Sequence, residues 1–138
     1  MSVKEASGVF LFYGETVLLC KRAPTFKGEP TSFGGYWSPF TGSCEKNENP
    51  ISCAVRELRE ESRLILEPHE LKYFLTLDSG AFQLHLYAHE LKELFIPTLD
   101  LEHTEFGYFS LDSLHASPSP MDTPIREAIK HYDSHIRL

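Results

Sequence analysis

Basic residues are scarce in this chain of 138 residues, which carries 13 lysines and arginines against 20 aspartates and glutamates. The formal net charge of −7 provides no positive surface for duplex DNA or for an anionic membrane, and it disfavours long RNA. An RNA 5′ end stays open as a substrate but is not favoured. A polyphosphate ligand is not excluded, because bound metal ions can reverse the charge of a site.

Cysteine is also scarce, and no apolar run approaches the roughly 18 residues that a membrane-spanning helix needs. Cys20, Cys44 and Cys53 are odd in number and show no CxxC spacing, so we expect reduced thiols. The first ten residues lack the apolar core of a signal peptide. These absences predict a cytoplasmic protein that does not engage a membrane.

The composition is that of a globular protein, because hydrophobic residues make up 41% of the chain, which is too many for a disordered one. The length fits one hydrophobic core. No internal repeat or second domain is evident, so we expect a single domain over residues 1–138.

Segments that favour strands alternate with turn signals along the chain. Residues 23–35 are rich in proline, glycine, serine and threonine, which indicates a loop long enough to bind a ligand. A last helix is expected to begin at Asp122 or Thr123, with Pro124 in its first turn. The predicted strands are residues 8–13, 16–20, 71–77, 82–90 and 105–109.

Another helix is predicted to begin at Pro50, with Asn49 as its N-cap. Its glutamates are expected on a face separate from the one that packs, which makes the helix amphipathic. The packing stripe of apolar and small residues comprises Ile51, Ala54, Val55, Leu58 and Ser62.

Glu57, Glu60 and Glu61 of this predicted helix are spaced at i, i+3 and i+4, so their side chains share one face. Like charges at this spacing destabilise an isolated helix by roughly 0.2–0.5 kcal/mol per pair. A divalent cation would relieve the repulsion, and carboxylate oxygens suit Mg²⁺ or Mn²⁺. The alternative is a solvated acidic helix face.

The glutamates belong to the register Gly-x5-Glu-x7-Arg-Glu-Leu-x-Glu-Glu, which is formed by Gly42, Glu48, Arg56, Glu57, Leu58, Glu60 and Glu61. This register resembles the signature of the Nudix hydrolase family. Arg63 departs from it, since the family usually has glycine there, and a left-handed arginine costs about 1–2 kcal/mol unless the helix ends differently. The flanks Gly35-Tyr36-Trp37 and 105–112 also resemble the family.

This resemblance implies an α/β fold, a Nudix-type α/β/α sandwich with a mixed β-sheet. It also implies hydrolysis of a diphosphate bond in a nucleoside di- or triphosphate or another small nucleotide derivative, with Mg²⁺ or Mn²⁺ as the cofactor. Two alternatives are a non-catalytic nucleotide-binding module on the same fold and, less favoured, a diphosphate isomerase.

The resemblance also assigns candidate roles to particular residues. Arg56 and Glu48 are similar to the family's internal ion pair, although Arg56 is also placed to pair with Glu60. The base that activates water stays open among Glu60, Glu61 and Glu105. The candidate metal ligands are Glu57, Glu60, Glu61, Glu105 and the main-chain carbonyl of Thr41.

Arg22, at the end of a predicted strand, is a candidate for binding a substrate phosphate, with a solvated cation as the alternative. Aromatic residues are candidates for stacking on a base, and core packing is the alternative for each one. Zinc is not favoured, because His85, His89 and His103 lack the spacing of a structural site. The aromatic candidates are Tyr36, Trp37 and Tyr108, with Phe33 and Phe106 beside them.

Overall fold

The computed structural model describes residues 3–31 and 33–137, and within them it contains nine strands and two α-helices. The strands are β1 (Lys4–Tyr13), β2 (Thr16–Arg22), β3 (Thr25–Phe26), β4 (Glu29–Pro30), β5 (Trp37–Ser38), β6 (Phe40–Ser43), β7 (Lys72–Asp78), β8 (Phe82–Glu90) and β9 (His103–Ser110). The helices are α1 (Pro50–Ser62) and α2 (Thr123–His135). The predicted strands and both predicted helices are present, with several strands longer than expected.

Seven of the strands form one mixed sheet in the order β5-β2-β1-β8-β7, with β6 also paired to β1 and β9 to β2. β1 and β8 run parallel, from Lys4 opposite Phe82 to Phe12 opposite Glu90. The other pairs of this sheet are antiparallel. The mixed sheet that the sequence predicts is therefore confirmed.

β1 lies at the centre of the fold and is buried on both faces, which explains its uninterrupted apolar run. Phe10 and Phe12 pack into the core on the side of α2. Val9 and Leu11 alternate with them and pack into a second core on the side of α1. The sheet is thus covered by one helix on each face, as in an α/β/α sandwich.

α1 begins as the sequence predicts, because the Asn49 side chain accepts a hydrogen bond from the Ser52 main-chain N–H at 2.9 Å. It ends at Arg63, which adopts the left-handed conformation with φ 72°. The Arg63 N–H donates to the carbonyl of Arg59 at 2.9 Å. The arginine therefore takes over the capping geometry usually given to glycine.

α2 starts after Asp122 with proline in its first turn, as predicted, but the Asp122 side chain makes no capping hydrogen bond. Its apolar face buries Ile129 and Tyr132, and the Tyr132 ring stacks on Phe12 with centroids 4.9 Å apart. Neither α-helix in the described part of the chain is long and apolar enough to cross a membrane.

Residues 23–35, predicted as a loop, contain a small hairpin formed by β3 and β4. Its turn at Lys27-Gly28 has positive φ at both residues, 54° and 81°, which is the geometry that two-residue hairpin loops favour. These strands have two residues each, which is too short for the alternation of apolar and polar residues that indicates a strand in a sequence.

The expectation of reduced thiols is wrong for two of the three cysteines. Cys44 and Cys53 form a disulfide with their Cα atoms 5.2 Å apart, whereas Cys20 is a buried free thiol. The bridge forms because the chain leaving β6 returns past the first turn of α1, a proximity that nine residues of sequence separation do not reveal. It closes the segment that joins Gly42 to the glutamates of α1.

Candidate active site

Glu57 lies directly against the main chain of β6 at Gly42. A Cβ atom at position 42 would stand 1.9 Å from Glu57 Oε2, so only glycine leaves room for this carboxylate. Burial raises the pKa of Glu57, and the neighbouring Arg56 partly offsets that effect. The presence of glycine at position 42 of the signature therefore has a direct steric explanation.

Arg56 is the centre of a network that ties α1 to the preceding segment. Its Nε donates to Glu48 Oε2 at 2.8 Å and its Nη2 donates to Glu48 Oε1 at 2.9 Å, which is the two-pronged contact typical of arginine. Nη1 donates to Glu57 at 2.9 Å and to Glu60 at 3.1 Å. Both ion pairs considered from the sequence are therefore present together.

The same guanidinium also fixes the main chain, because Nη2 donates to the carbonyl of Ser43 at 3.0 Å. The hydrogen bonds from Arg56 hold the pKa of Glu48 below its usual range. Arg56 keeps only 19% of its side chain exposed, which shields these contacts from solvent. The network therefore holds α1 against the loop that follows Gly42.

Glu61 differs from its neighbours because it is almost completely buried, with 2% of its surface exposed. Its Oε1 atom has no hydrogen-bond partner among the described residues. Burial raises the pKa of Glu61 well above the usual carboxyl range, and the nearby carboxylates of Glu57 and Asp100 raise it further. The expectation that all three glutamates avoid the packing face is wrong for Glu61.

Asp100 and Glu102 join Glu61 in an acidic group whose carboxylate oxygens lie within 4.8 Å of one another. The segment that carries them is held beside α1 and β2 by two main-chain hydrogen bonds, from Thr98 N–H to Ser62 and from Ala23 N–H to Glu102. Sequence reasoning missed both residues. Their signal is two acids at i and i+2 just before a strand, a pattern too common to be noticed alone.

Glu105, the candidate outside the signature, does not belong to this group. It lies opposite Lys21 on β2, and the lysine Nζ is 3.5 Å from Glu105 Oε2. More than half of the Glu105 side chain is exposed. The structure therefore places Glu102, not Glu105, beside Glu61.

A cavity of about 720 Å³ adjoins Gly42 and brings several predicted substrate contacts together. Arg22 and Tyr36 are fixed to each other, since the Arg22 N–H donates to the carbonyl of Tyr36 at 2.9 Å. The Arg22 charge also acts on Glu61, whose pKa it lowers. The predicted residues that line the cavity are Arg22, Phe33, Tyr36, Trp37, Thr41 and Gly42.

Tyr108 does not line this cavity, and its placement corrects the expectation that it stacks on a base. Its hydroxyl donates to the carbonyl of Phe95 and accepts from the Phe95 N–H at 3.2 Å. The ring packs with the core on the side of α1, where Phe106 also lies. Tyr108 therefore anchors the segment that leads to Asp100 and Glu102.

The acidic group fits a divalent cation. An unpartnered carboxylate oxygen in the protein interior is strongly unfavourable unless a positive charge or a donor compensates it. Glu61 offers such an atom, and Asp100 and Glu102 add oxygen ligands of the kind that Mg²⁺ and Mn²⁺ prefer. Glu57 lies next to them and contributes to the same negative field.

Comparison with known proteins agrees with this geometry. A family model described as the NUDIX domain matches residues 3–132. The chain is 28% identical over 119 residues to dihydroneopterin triphosphate diphosphatase of Haemophilus influenzae, covering 74% of this chain and 73% of the relative.

Two solved structures show the same fold. A NUDIX hydrolase from Nitrosomonas europaea superposes with a TM-score of 0.72 at 24% identity, covering 96% of this chain and 70% of that one. The NUDIX domain of Shewanella oneidensis NrtR, complexed with ADP ribose, gives a TM-score of 0.76 at 14% identity, with coverages of 96% and 88%. These likenesses confirm the predicted Nudix-type α/β fold.

Proposed function

Because the chain belongs to the NUDIX domain family, we propose that it is a Mg²⁺-dependent hydrolase that cleaves a diphosphate bond in a nucleoside triphosphate or a related nucleotide derivative. Mn²⁺ is the proposed substitute for Mg²⁺. The predicted enzyme class, a hydrolase of phosphorus-containing anhydrides, is confirmed by the family match and the diphosphatase relative.

The observation that carries the proposal is the buried Glu61 with its unpartnered Oε1, next to Asp100 and Glu102. We propose that these three carboxylates hold a cation together with Glu57 and Glu60 of α1 and the main-chain carbonyl of Thr41. When bound, a divalent ion neutralises charge on phosphate oxygens and lowers the pKa of a coordinated water.

The protein's own side chains supply orientation and proton transfer. Arg56 holds Glu57 and Glu60 in fixed positions, so neither carboxylate has to reorganise when substrate arrives. Of the three candidate bases, Glu60 is paired with Arg56 and Glu105 with Lys21, so we assign removal of the water proton to Glu61.

The cavity beside Gly42 supports a nucleotide as the substrate. Tyr36 and Trp37 offer aromatic surface for a planar base. Arg22 lines the same cavity and acts electrostatically on Glu61, so its charge is available to a phosphate near the acidic group. The Haemophilus influenzae relative is named for a triphosphate, and the NrtR domain was solved with ADP ribose. Both names support a small phosphorylated substrate of this class.

The test is a panel of nucleoside triphosphates, dinucleoside polyphosphates and nucleotide sugars, incubated with Mg²⁺ in ¹⁸O water and analysed by mass spectrometry. We expect one class to be cleaved at a diphosphate bond, with ¹⁸O in a single product and no reaction in EDTA. Glu61→Gln should lose most of this cleavage, and Glu93→Gln, at an exposed loop residue, is its control for loss of one negative charge. Cleavage of no member, or cleavage unaffected by EDTA, would contradict the proposal.

A further inference from the structure

Among the described residues, His103, the first residue of β9, is a buried histidine to which the proposed reaction assigns no role. No part of its side chain is exposed, and its ring packs edge-on against Phe40 with centroids 6.0 Å apart. Its Nε2 atom has no hydrogen-bond partner in the described part of the chain. Burying an imidazole whose Nε2 makes no hydrogen bond is unfavourable. We therefore expect the hydrogen bond of the other ring nitrogen, Nδ1, to serve a purpose.

That contact is with Asp100, whose Oδ1 lies 2.9 Å from His103 Nδ1. An ionised carboxylate can only accept, so Nδ1 carries the proton and donates it. The same Oδ1 accepts the Glu102 main-chain N–H at 3.1 Å. Two donors therefore converge on one oxygen, while Oδ2 makes no hydrogen bond to any described residue and stays available as a ligand.

We propose that His103 is a positioning residue, whose Nδ1–H fixes the Asp100 carboxylate in the orientation that completes the cation site with Glu61 and Glu102. The inference rests on the proposed function, because it assigns His103 a task only if that group binds a divalent ion. Carboxylate ligands are commonly held by such outer hydrogen bonds, and losing one typically weakens metal binding by roughly 10–100-fold.

The test compares two substitutions that differ in one donor. His103→Phe keeps a buried aromatic ring but removes the Nδ1–H, whereas His103→Asn keeps an amide N–H close to the position of Nδ1. Binding of Mn²⁺ without substrate is measured by electron paramagnetic resonance. We expect His103→Phe to raise the Mn²⁺ dissociation constant about 10-fold and His103→Asn to keep it within about 3-fold.

Asp100→Asn provides the coupling control. If His103 acts through Asp100, adding His103→Phe to Asp100→Asn weakens Mn²⁺ binding no further than Asp100→Asn alone. In activity assays, His103→Phe should raise the Mg²⁺ concentration for half-maximal rate more than it lowers the rate at saturating Mg²⁺. Near-ultraviolet circular dichroism checks that each variant keeps its tertiary packing.

A measurement on the unaltered protein guards against a variant that does not fold. Imidazole ¹⁵N resonances should show the proton of His103 on Nδ1, both before and after Mg²⁺ is added. A proton on Nε2, unchanged Mn²⁺ binding in His103→Phe, or equal losses in both His103 variants would overturn the inference alone. Wild-type protein that binds no Mn²⁺ would overturn the proposed function and this inference with it.

Discussion

Glu60 and Glu61 are neighbours in the sequence but lie in opposite electrostatic environments. Glu60 is half exposed and belongs to the Arg56 network, defined here as Arg56 with Glu48, Glu57 and Glu60. Glu61 is buried and belongs to the Glu61 group, defined as Glu61 with Asp100 and Glu102. In the Arg56 network, the arginine donates hydrogen bonds to all three carboxylates.

The second region lacks such compensation, because the nearby Arg22 only partly offsets the effect of burial and of three acidic neighbours on Glu61. Glutamates of one helical register can therefore have two different roles. The Arg56 network holds α1 to the preceding loop, whereas for the Glu61 group we propose that a cation from solution completes it.

The largest expected effect comes from Glu61→Gln, which should lower turnover by at least about 100-fold, because several kcal/mol of metal-dependent stabilisation are lost. The metal-free variant should melt no lower than wild type, since it removes an unpartnered buried carboxylate. Steady-state kinetics and calorimetry measure both quantities. Glu48→Gln, which alters the Arg56 network without removing a proposed metal ligand, is the matched control and should lower turnover at least about 10-fold less. Equal losses would remove the distinction between the two regions.

Next in size is Arg56→Gln, which leaves the carboxylates of the Arg56 network without their cation. We expect the free energy of unfolding to fall by about 2 kcal/mol, less than for a fully buried pair. Urea denaturation measures the change. Arg56→Lys keeps the charge but not the fork, so it should recover only part of the loss. Unchanged stability in Arg56→Gln would contradict the structural role of the network.

A smaller effect is expected from Gly42→Ala, because the new Cβ would push the Glu57 carboxylate out of its place against β6. The Mg²⁺ concentration for half-maximal rate should rise about 10-fold. Gly107→Ala, where the nearest atoms to a new Cβ belong to the Phe109 ring at 3.2 Å, is the control. If both variants respond alike to Mg²⁺, the contact between positions 42 and 57 has no bearing on the metal.

The most gradual effect concerns pH in the absence of metal. Burial raises the pKa of Glu61 in the folded state, so its contribution to stability is fully present below the unfolded pKa of about 4.3. That contribution is lost as pH rises through the higher folded pKa, by at most about 1.4 kcal/mol per pH unit. Urea denaturation in EDTA should show this decline in wild type but not in Glu61→Gln. If the free energy of unfolding changes with pH in the same way in wild type and in Glu61→Gln, the pKa of Glu61 is not raised.

Local features of α1 could be predicted from the sequence because they depend on near neighbours. The cap at Asn49 and the start at Pro50 follow from residues within one turn. The left-handed end at Arg63 did not follow in the same way, because arginine is disfavoured in that conformation. The pair of Arg56 and Glu48 was indicated by the resemblance of the signature and is present. The mixed sheet was likewise implied by that resemblance.

Features that depend on distant packing could not be predicted. Glu61 is buried because the segment before β9 folds over the end of α1, and that segment also brings in Asp100 and Glu102. The sequence indicated Glu105 and gave no sign of Glu102, but the register of β9 on β2 places Glu105 beside Lys21. The disulfide of Cys44 and Cys53 spans only nine residues, but it depends on how the chain leaving β6 folds back onto the first turn of α1.

The most direct test of the cation site is a Mn²⁺ titration of wild type and Glu61→Gln, followed by electron paramagnetic resonance without substrate. Wild type should bind Mn²⁺, and Glu61→Gln should bind it at least about 10-fold more weakly while keeping its melting temperature. Equal Mn²⁺ affinity in the two proteins would contradict the assignment of Glu61 and its acidic neighbours as the metal site.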